Sequence, residues 1–600
     1  MTAMNTSTSA SRPGASSSTA TSAAASSAAV EAANAAAATA STKAELVKTI
    51  DAALEPLCRA DEPGMVVGVS RNGELLYRRG FGLASLELGV INTPRTRMRL
   101  ASTSKHFTAL AILLLAEDGK LDIDDMARRH LPELPELSAA GPTLRQLMQH
   151  TGGWRGHEEL WAWANGLNPQ PAGISLSMMA RQRELNYEPG TRMIYSNGGY
   201  LMLARIVERV SGLSFAEFLR QRIFEPLGML DTESTANVLD VREGLAGLYL
   251  PVLGAAPGAR GRWTRATYPT EFEGSGSLIS TVDDMLIWLA HLRSERKTVG
   301  SAKSWAQMLE TTTLASGEVS PYCFGLIRHP YRGVEVIHHN GAVLGGGSQM
   351  ITVPAHGLDI TIMTNGSAAN PAAVAFKLID LLLADQLPLT AQEAVPRVAA
   401  DAFPGLQGRH YHDPASGLLM RFGTVAGLLG VSVHGSHVLP LRKGIGHRVW
   451  IGVMETATSS VEIDLSGVDP AQAPDVLEVR DGGELLRLRL VPETAPTAAS
   501  LAPSLVGAFH SADLDAGGLI EADDAGLSFT VQGRHGQLRY RAHPVSDEVM
   551  LLVPTEPLLA ALANSNVLNL DRAAGPGSPV VGLRMESIRT RHLRFARADR

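Results

Sequence analysis

Leu100-Ala101-Ser102-Thr103-Ser104-Lys105-His106-Phe107 is the stretch from which the rest of the chain can be ordered. It leads into a run of apolar helix formers from Thr103 to Leu115, with Gly119 as a helix stop. Residues three apart share a helix face, so the Ser102 hydroxyl and the Lys105 amine can meet. With Ser102 opening the helix, the N-terminal end of the dipole favours negative charge on its oxygen. The same Ser-x-x-Lys spacing recurs at Ser294 and Lys297, in a charged setting that reads as a solvated helix end. A nucleophile must be held rigidly, and the apolar surroundings single out Ser102.

Two further groups complete a chemical set. Tyr195-Ser196-Asn197 is the one Tyr-x-Asn in the chain. A tyrosine oxygen can relay a proton, and an asparagine amide can donate to a carbonyl or orient a lysine. His339-Asn340-Gly341 follows the apolar strand Val334–Ile337. Gly341 lets backbone approach a substrate closely, and the Ala342 N–H then joins that of Ser102 as an oxyanion hole. His150-Thr151-Gly152 repeats the His-x-Gly pattern without a preceding strand. His338 and His339 lack further ligands at metal spacing, so no metal or other cofactor is expected.

Outward from these motifs, Asn72-Gly73 between the apolar runs Met65–Val69 and Leu75–Tyr77 predicts a hairpin. Strands are expected again at Val334–Ile337, Ser348–Val353 and Leu358–Met363, with helical segments between. The expected class is α+β: an antiparallel sheet with helices packed around it, over residues 43–388. Past residue 389 the helical period fades and short strand-like runs take over. Gly408–Gly417 is echoed by Gly507–Gly517, and Pro492–Pro496 looks like a linker. Two antiparallel β-barrels, over 389–497 and 498–600, are therefore expected.

Residues 1–42 are almost entirely Ala, Ser and Thr, with too little large apolar surface to offset the entropy of ordering, and read as a disordered tail. A secretory signal would need a basic start and a Leu-like block; Arg12 alone and Glu31 do not supply them, so the cytoplasm is expected. A net charge of −7 over 600 residues gives no basic face for nucleic acid. No apolar run reaches the roughly 20 residues that span a bilayer. Cys58 and Cys323 could form one bridge, with reduced structural thiols the plainer expectation.

In this order, and within one expected domain, the three motifs resemble those of the penicillin-recognising serine hydrolases: class C β-lactamases, DD-peptidases, D-aminopeptidases and related esterases. Leu147–Gly153, Glu225–Thr232 and Gly274–Met285 look familial too, and the likeness covers about residues 50 to 385. His-x-Gly in third place, where many members have Lys-Thr-Gly, resembles the D-aminopeptidases, which also carry two trailing barrels. The resemblance implies a β-lactamase/transpeptidase-like fold, a homodimer, and a loop of the last barrel entering the cleft, here expected at Asn569–Ser578.

It also implies an acyl-enzyme on Ser102, with Lys105 or Tyr195 as base and His339 supporting the Tyr195 oxygen or the substrate. The substrate implied is a short peptide or amide with an N-terminal D-alanyl, glycyl or D-seryl group. Its ammonium needs an anion, for which Glu271, Glu273 and Asp571 are candidates by location. An esterase, a DD-carboxypeptidase or β-lactamase-like hydrolase, and a non-catalytic binder of peptidoglycan fragments are the alternatives.

Overall fold

The computed structural model describes residues 43–252, 263–366, 369–387, 397–443, 448–452, 460–561, 565–575 and 577–598. The expected tail and the expected boundary at 388–389 lie outside these. The chain divides into two compact units, residues 1–57 and 58–600. In the first, a helix over 43–54 continues into a 3-10 turn at Glu55–Leu57.

The second unit is organised around a six-stranded antiparallel sheet. Its order is Ile327–Tyr331, Val334–Val343, Gly346–Val353, Leu358–Thr364, Met65–Arg71, Glu74–Phe81. The first two strands of the chain thus pair with the last strands of this region: Met65 lies opposite both Thr364 and Phe81. The hairpin at Asn72-Gly73 forms as expected, both residues taking positive φ (53° and 83°). That conformation matches the right-handed twist of the flanking strands and suits Asn and Gly. Leu358–Thr364 is buried at every position, as it must be with helix Val282–Arg293 on one face and Pro371–Leu382 nearby. Ile327–Tyr331 was not anticipated; it alternates buried and exposed residues at the sheet edge.

Helix Lys105–Glu117 is buried at every residue from Lys105 to Leu115, which explains its near-continuous apolar sequence. It packs against helix Asn197–Ser211, capped by the Ser196 hydroxyl at its start and by Gly212 at its end.

Strands Gly507–Ser511 to Leu593–Arg597, eight in all among the described residues, close into an antiparallel barrel entered through helix Ala498–Leu505. The stretch before it is, among the described residues, a nine-stranded antiparallel sheet curled into a half-barrel that does not close. Its two edge strands, Leu439–Pro440 and Arg442–Lys443, are neighbours in sequence with only Leu441 between them. The chain itself therefore turns from one edge to the other, and two-residue strands leave too few ladder groups to seal the gap. The sequence echo marks the opening hairpin of each sheet: His410–Asp413 with Leu418–Val425, and Gly507–Ser511 with Ala516–Asp523.

The barrel shares its core with the helical part, because helix His157–Asn165 packs on strands Gly526–Gln532 and Gln537–Pro544. Arg155 locks this contact. Fully buried, it donates to Asp513 (2.6 Å), Gln182 (2.9 Å), Glu184 (3.0 Å) and the carbonyls of Arg591 and His592 (2.9 Å each). A buried guanidinium is tolerated only with its donors satisfied, as here.

Candidate active site

Ser102 lies in a 3-10 turn, Ala101–Ser104, one step before the α-helix that Lys105 begins. Sequence reasoning put Ser102 at the start of the α-helix itself. In a 3-10 turn residues i and i+3 eclipse, which brings the Lys105 Nζ to 3.0 Å from the Ser102 Oγ. Ala101 carries a positive φ of 49°, a strained conformation for a residue with a Cβ. The strain is held by the Leu100 N–H donating to Leu278 O (2.8 Å) and by Ser104 Oγ accepting from Leu278 N (3.1 Å).

Lys105 is completely buried and also donates to the Ser275 carbonyl at 2.7 Å. Ser275 belongs to the familial Gly274–Met285 stretch, but nothing in the sequence singled out its carbonyl. Burial holds the Lys105 pKa well below the ordinary amine value; Glu158 opposes the shift and Arg589 adds to it.

Tyr195 presents its ring to Lys105, with Nζ 4.8 Å from the ring centroid. Its buried hydroxyl lies towards Ser102 but makes no hydrogen bond of regular geometry among the described residues. Burial pushes its pKa well above the ordinary phenol value, with Ser102 and Arg589 opposing weakly. Asn197 begins the helix behind Tyr195, and its amide donates to Glu158 while its oxygen has no partner.

His339 is in the cluster but faces away from where it was expected to act. Its Nδ1 meets the Asn340 carbonyl at 2.6 Å and its Nε2 the Tyr322 hydroxyl at 3.3 Å, so neither nitrogen is left for Tyr195 or a substrate. The donors can be assigned along a chain. The Ser196 N–H donates to His150 Nδ1 (3.1 Å), so His150 Nε2 carries the proton and donates to Tyr322 Oη (3.0 Å). Tyr322 then donates to His339 Nε2, and His339 Nδ1–H to Asn340 O. Tyr195 packs tilted against His150, with ring centroids 4.1 Å apart and ring planes at 37°. Burial, then the nearby Lys105, hold both imidazoles well below the ordinary histidine pKa, hence neutral. His150, set aside in the sequence as a repeat of His-x-Gly, is thus part of the site, and Tyr322 had no motif to announce it. Tyr322→Phe strands the His150 N–H and the His339 lone pair in a buried place, at a cost of about 1–3 kcal/mol. A chemical-denaturation midpoint unchanged by this substitution would dismiss the chain.

Gly341 is required by proximity, not by backbone conformation. A Cβ there would lie 2.1 Å from Leu100 O and 2.5 Å from Ser348 Oγ. Ser348 in turn bonds Thr103 Oγ1 (2.8 Å) and Leu100 O (2.5 Å), tying strand to nucleophile turn. The ladder with Ile327–Tyr331 ends at the Ile327/His338 pair, so Asn340–Val343 has a strand neighbour on one side only. Ala342, opposite Gly347, is exposed.

The carboxylates proposed from location are otherwise engaged. Glu273 pairs with Arg205 at 2.8 Å, and Arg205 lies 3.6 Å from Glu271, which caps the backbone at Gly173 and Ser175. Asp571 pairs with Arg584 at 2.9 Å within the barrel. Asn569–Arg572 is the end of a strand rather than a loop. The barrel segment that meets the site is the later turn Ser587–His592, where Arg589 stands over Tyr195 with Cζ 5.3 Å from the ring centroid.

Between this turn and the helical part lies a cavity of about 310 Å³, lined among others by Glu158, Trp163, Tyr268, Tyr540 and Arg589. Ser102 does not line it; the two are joined through Asn197–Glu158 and Tyr195–Arg589. Burial raises the Glu158 pKa, but His157, Arg589 and the Asn197 amide together bring it below the ordinary carboxylate value.

This serine–lysine–tyrosine cluster, with its lysine buried beside an antiparallel sheet, defines the class. The Beta-lactamase family signature matches residues 33–384, more than half of the chain, and the chain belongs to that family. It is 30% identical to a D-aminopeptidase of Gluconobacter oxydans over 334 residues, 54% of this chain and 60% of that relative's length. It is 26% identical to a D-aminopeptidase of Cereibacter sphaeroides over 557 residues, 91% of this chain and 98% of the relative. The octameric penicillin-binding protein homologue of Pyrococcus abyssi shares the fold, with a TM-score of 0.50 and 21% identity over 75% of this chain and 99% of that one. Among the described residues, no helix is long and apolar enough to cross a membrane, and no group of His, Cys, Asp and Glu is arranged to hold a metal ion.

Proposed function

We propose that the protein is a D-stereospecific serine hydrolase that releases N-terminal D-alanine, glycine or D-serine from short peptides or amides through an acyl-enzyme on Ser102. The observation that carries this reading is the Lys105–Ser102 contact of 3.0 Å, with the amine wholly buried. The D-aminopeptidase relative aligned over 91% of the chain supports the substrate class.

The opposite pKa directions of Lys105 and Tyr195 support Lys105 as base and Tyr195 as acid. Neutral Lys105 takes the Ser102 proton as the serine oxygen bonds to the carbonyl carbon. The resulting oxyanion rests on the N–H groups of Ser102 and Ala342. Tyr195, kept protonated by burial, hands its proton to the leaving nitrogen as the C–N bond breaks, and is reprotonated from Lys105. Water then attacks the ester and returns Ser102 to its resting form. Glu158, next to Asn197, is the anion for the substrate ammonium in place of Glu273 and Asp571. His339 acts through Tyr322 and His150 on the Tyr195 platform rather than on substrate.

Turnover of D-alanine p-nitroanilide, its L-isomer and p-nitrophenyl acetate tests the reading. The D-amide is expected to exceed the L-amide by on the order of 100-fold or more, the discrimination a polar, fully engaged site can reach. Equal cleavage of the two isomers, with the ester hydrolysed fastest, would replace the aminopeptidase by an esterase. The reading includes the homodimer implied by the family resemblance, checked by sedimentation velocity.

A further inference from the structure

The turn Ser587–His592 is fastened to the helical part by more hydrogen bonds than a surface turn needs. Asn186 grips its backbone twice, donating to Arg589 O and accepting from Arg591 N, both at 2.8 Å. The Gly156 N–H reaches Thr590 Oγ1 at 3.3 Å, Ser587 donates to Glu159 at 2.6 Å, and Arg155 holds the Arg591 and His592 carbonyls. Most of these partners are buried. What this fixes in place is the Arg589 side chain. Arg591 pairs with Asp481 and Arg594 with Glu184, each at 3.2 Å. The Arg589 guanidinium, by contrast, makes no hydrogen bond or ion pair among the described residues.

That guanidinium is only partly exposed, covers the face of Tyr195, and lines the cavity beside it. The cavity-wall carboxylates take their hydrogen bonds from other groups, Glu158 from Asn197 and from Tyr268 (3.1 Å) and Glu159 from Ser587, and neither takes one from Arg589. A rigidly presented guanidinium that feels the nearby Glu158 and Glu159 charges but keeps its donors unspent on them still has its planar fork to offer a carboxylate.

We infer that Arg589 recognises a free carboxylate one residue beyond the scissile bond, so that the preferred substrates are dipeptides with a D-amino acid or glycine at the amino end. The inference rests on the proposed reaction. There the leaving nitrogen takes its proton from Tyr195, and in an amino-acid leaving group the carboxylate carbon lies only about 2.5 Å from that nitrogen. The carboxylate therefore falls beside the phenol that Arg589 covers.

The test compares kcat/KM for D-alanyl-glycine and D-alanyl-glycinamide in the full-length protein, in Arg589→Lys and in Arg589→Met, with active sites counted by covalent labelling of Ser102. The wild type is expected to prefer the carboxylate form by on the order of 10- to 100-fold, mostly through KM, as for a charge-assisted pair. Arg589→Met brings the ratio near one, and Arg589→Lys retains part of it. A ratio unaltered in Arg589→Met overturns the inference. So does an equal loss on both substrates with a displaced pH–rate profile, since Arg589 would then act on Tyr195. Wild type inactive on both dipeptides yet active on D-alanine p-nitroanilide refutes the carboxylate role alone, whereas inactivity on all three also removes the proposed function.

Discussion

Ser102→Ala is expected to lower turnover of the D-amide by on the order of 10,000-fold or more, the scale seen when a serine nucleophile is removed. No neighbouring hydroxyl can stand in. Thr103 Oγ1 is committed to Ser348 and the His339 carbonyl, and Ser104 Oγ accepts from the Leu278 N–H. The lost Oγ also removes the 3.0 Å contact to Lys105, but the bond to Ser275 keeps the amine in place. The fold should therefore persist while chemistry stops. A fluorophosphonate or penicillin probe, read by intact mass, should label the wild type and leave the variant unlabelled. Retention of more than about one per cent of the wild-type rate is outside that scale and would remove Ser102 from the mechanism.

Why some of this site was legible in the sequence and some was not follows from chain distance. Ser102 and Lys105 meet across three residues, a spacing set by local helix geometry, and Asn72-Gly73 announces its turn by backbone preference alone. Tyr195 and Gly341 lie further away but sit in short patterns whose order along the chain is informative. Tyr322 joins the site through partners 172 and 17 residues away and belongs to no such pattern. Arg589 is placed by Asn186, 403 residues upstream. Contacts of that length depend on how the barrel docks, which neither periodicity nor turn chemistry encodes. Glu273 illustrates the opposite error: its place in a familial stretch was readable, but not that Arg205, two helical turns past Asn197, would neutralise it. How far the first trailing sheet closes was hidden from the sequence for a related reason. Its short strands predicted antiparallel pairing correctly, while closure depends on the length of the edge strands at Leu439–Lys443, which a strand pattern does not report.

The burial of Lys105 makes a second large effect predictable, in stability as well as rate. Lys105→Met keeps a stem of similar length in the same apolar surroundings but removes the base, so turnover should fall by about 100- to 10,000-fold. Its effect on stability has a sign set by pH. A lysine whose folded pKa lies below its unfolded value near 10.4 gives the fold its full stability only above that value, and loses it as pH falls through the folded pKa. The folded value of Lys105 is well below the ordinary one, through burial first and Arg589 second, against Glu158. The unfolding free energy of the wild type minus that of Lys105→Met should thus rise with pH across that window, by at most about 1.4 kcal/mol per unit, and level off above about 10.4. Subtraction cancels groups remote from the lysine, leaving only neighbours coupled to it: Glu158, held below the ordinary carboxylate value, and His150 and His339, which burial already keeps neutral in the fold. At every pH the difference also contains the Ser275 carbonyl that the variant leaves without its donor, a constant offset of about 1–3 kcal/mol. Guanidinium denaturation of both proteins from pH 7 to 11 measures the slope. A flat difference would mean that Lys105 stays an ordinary ammonium in the folded protein, and the proton of Ser102 would then have to leave by another base.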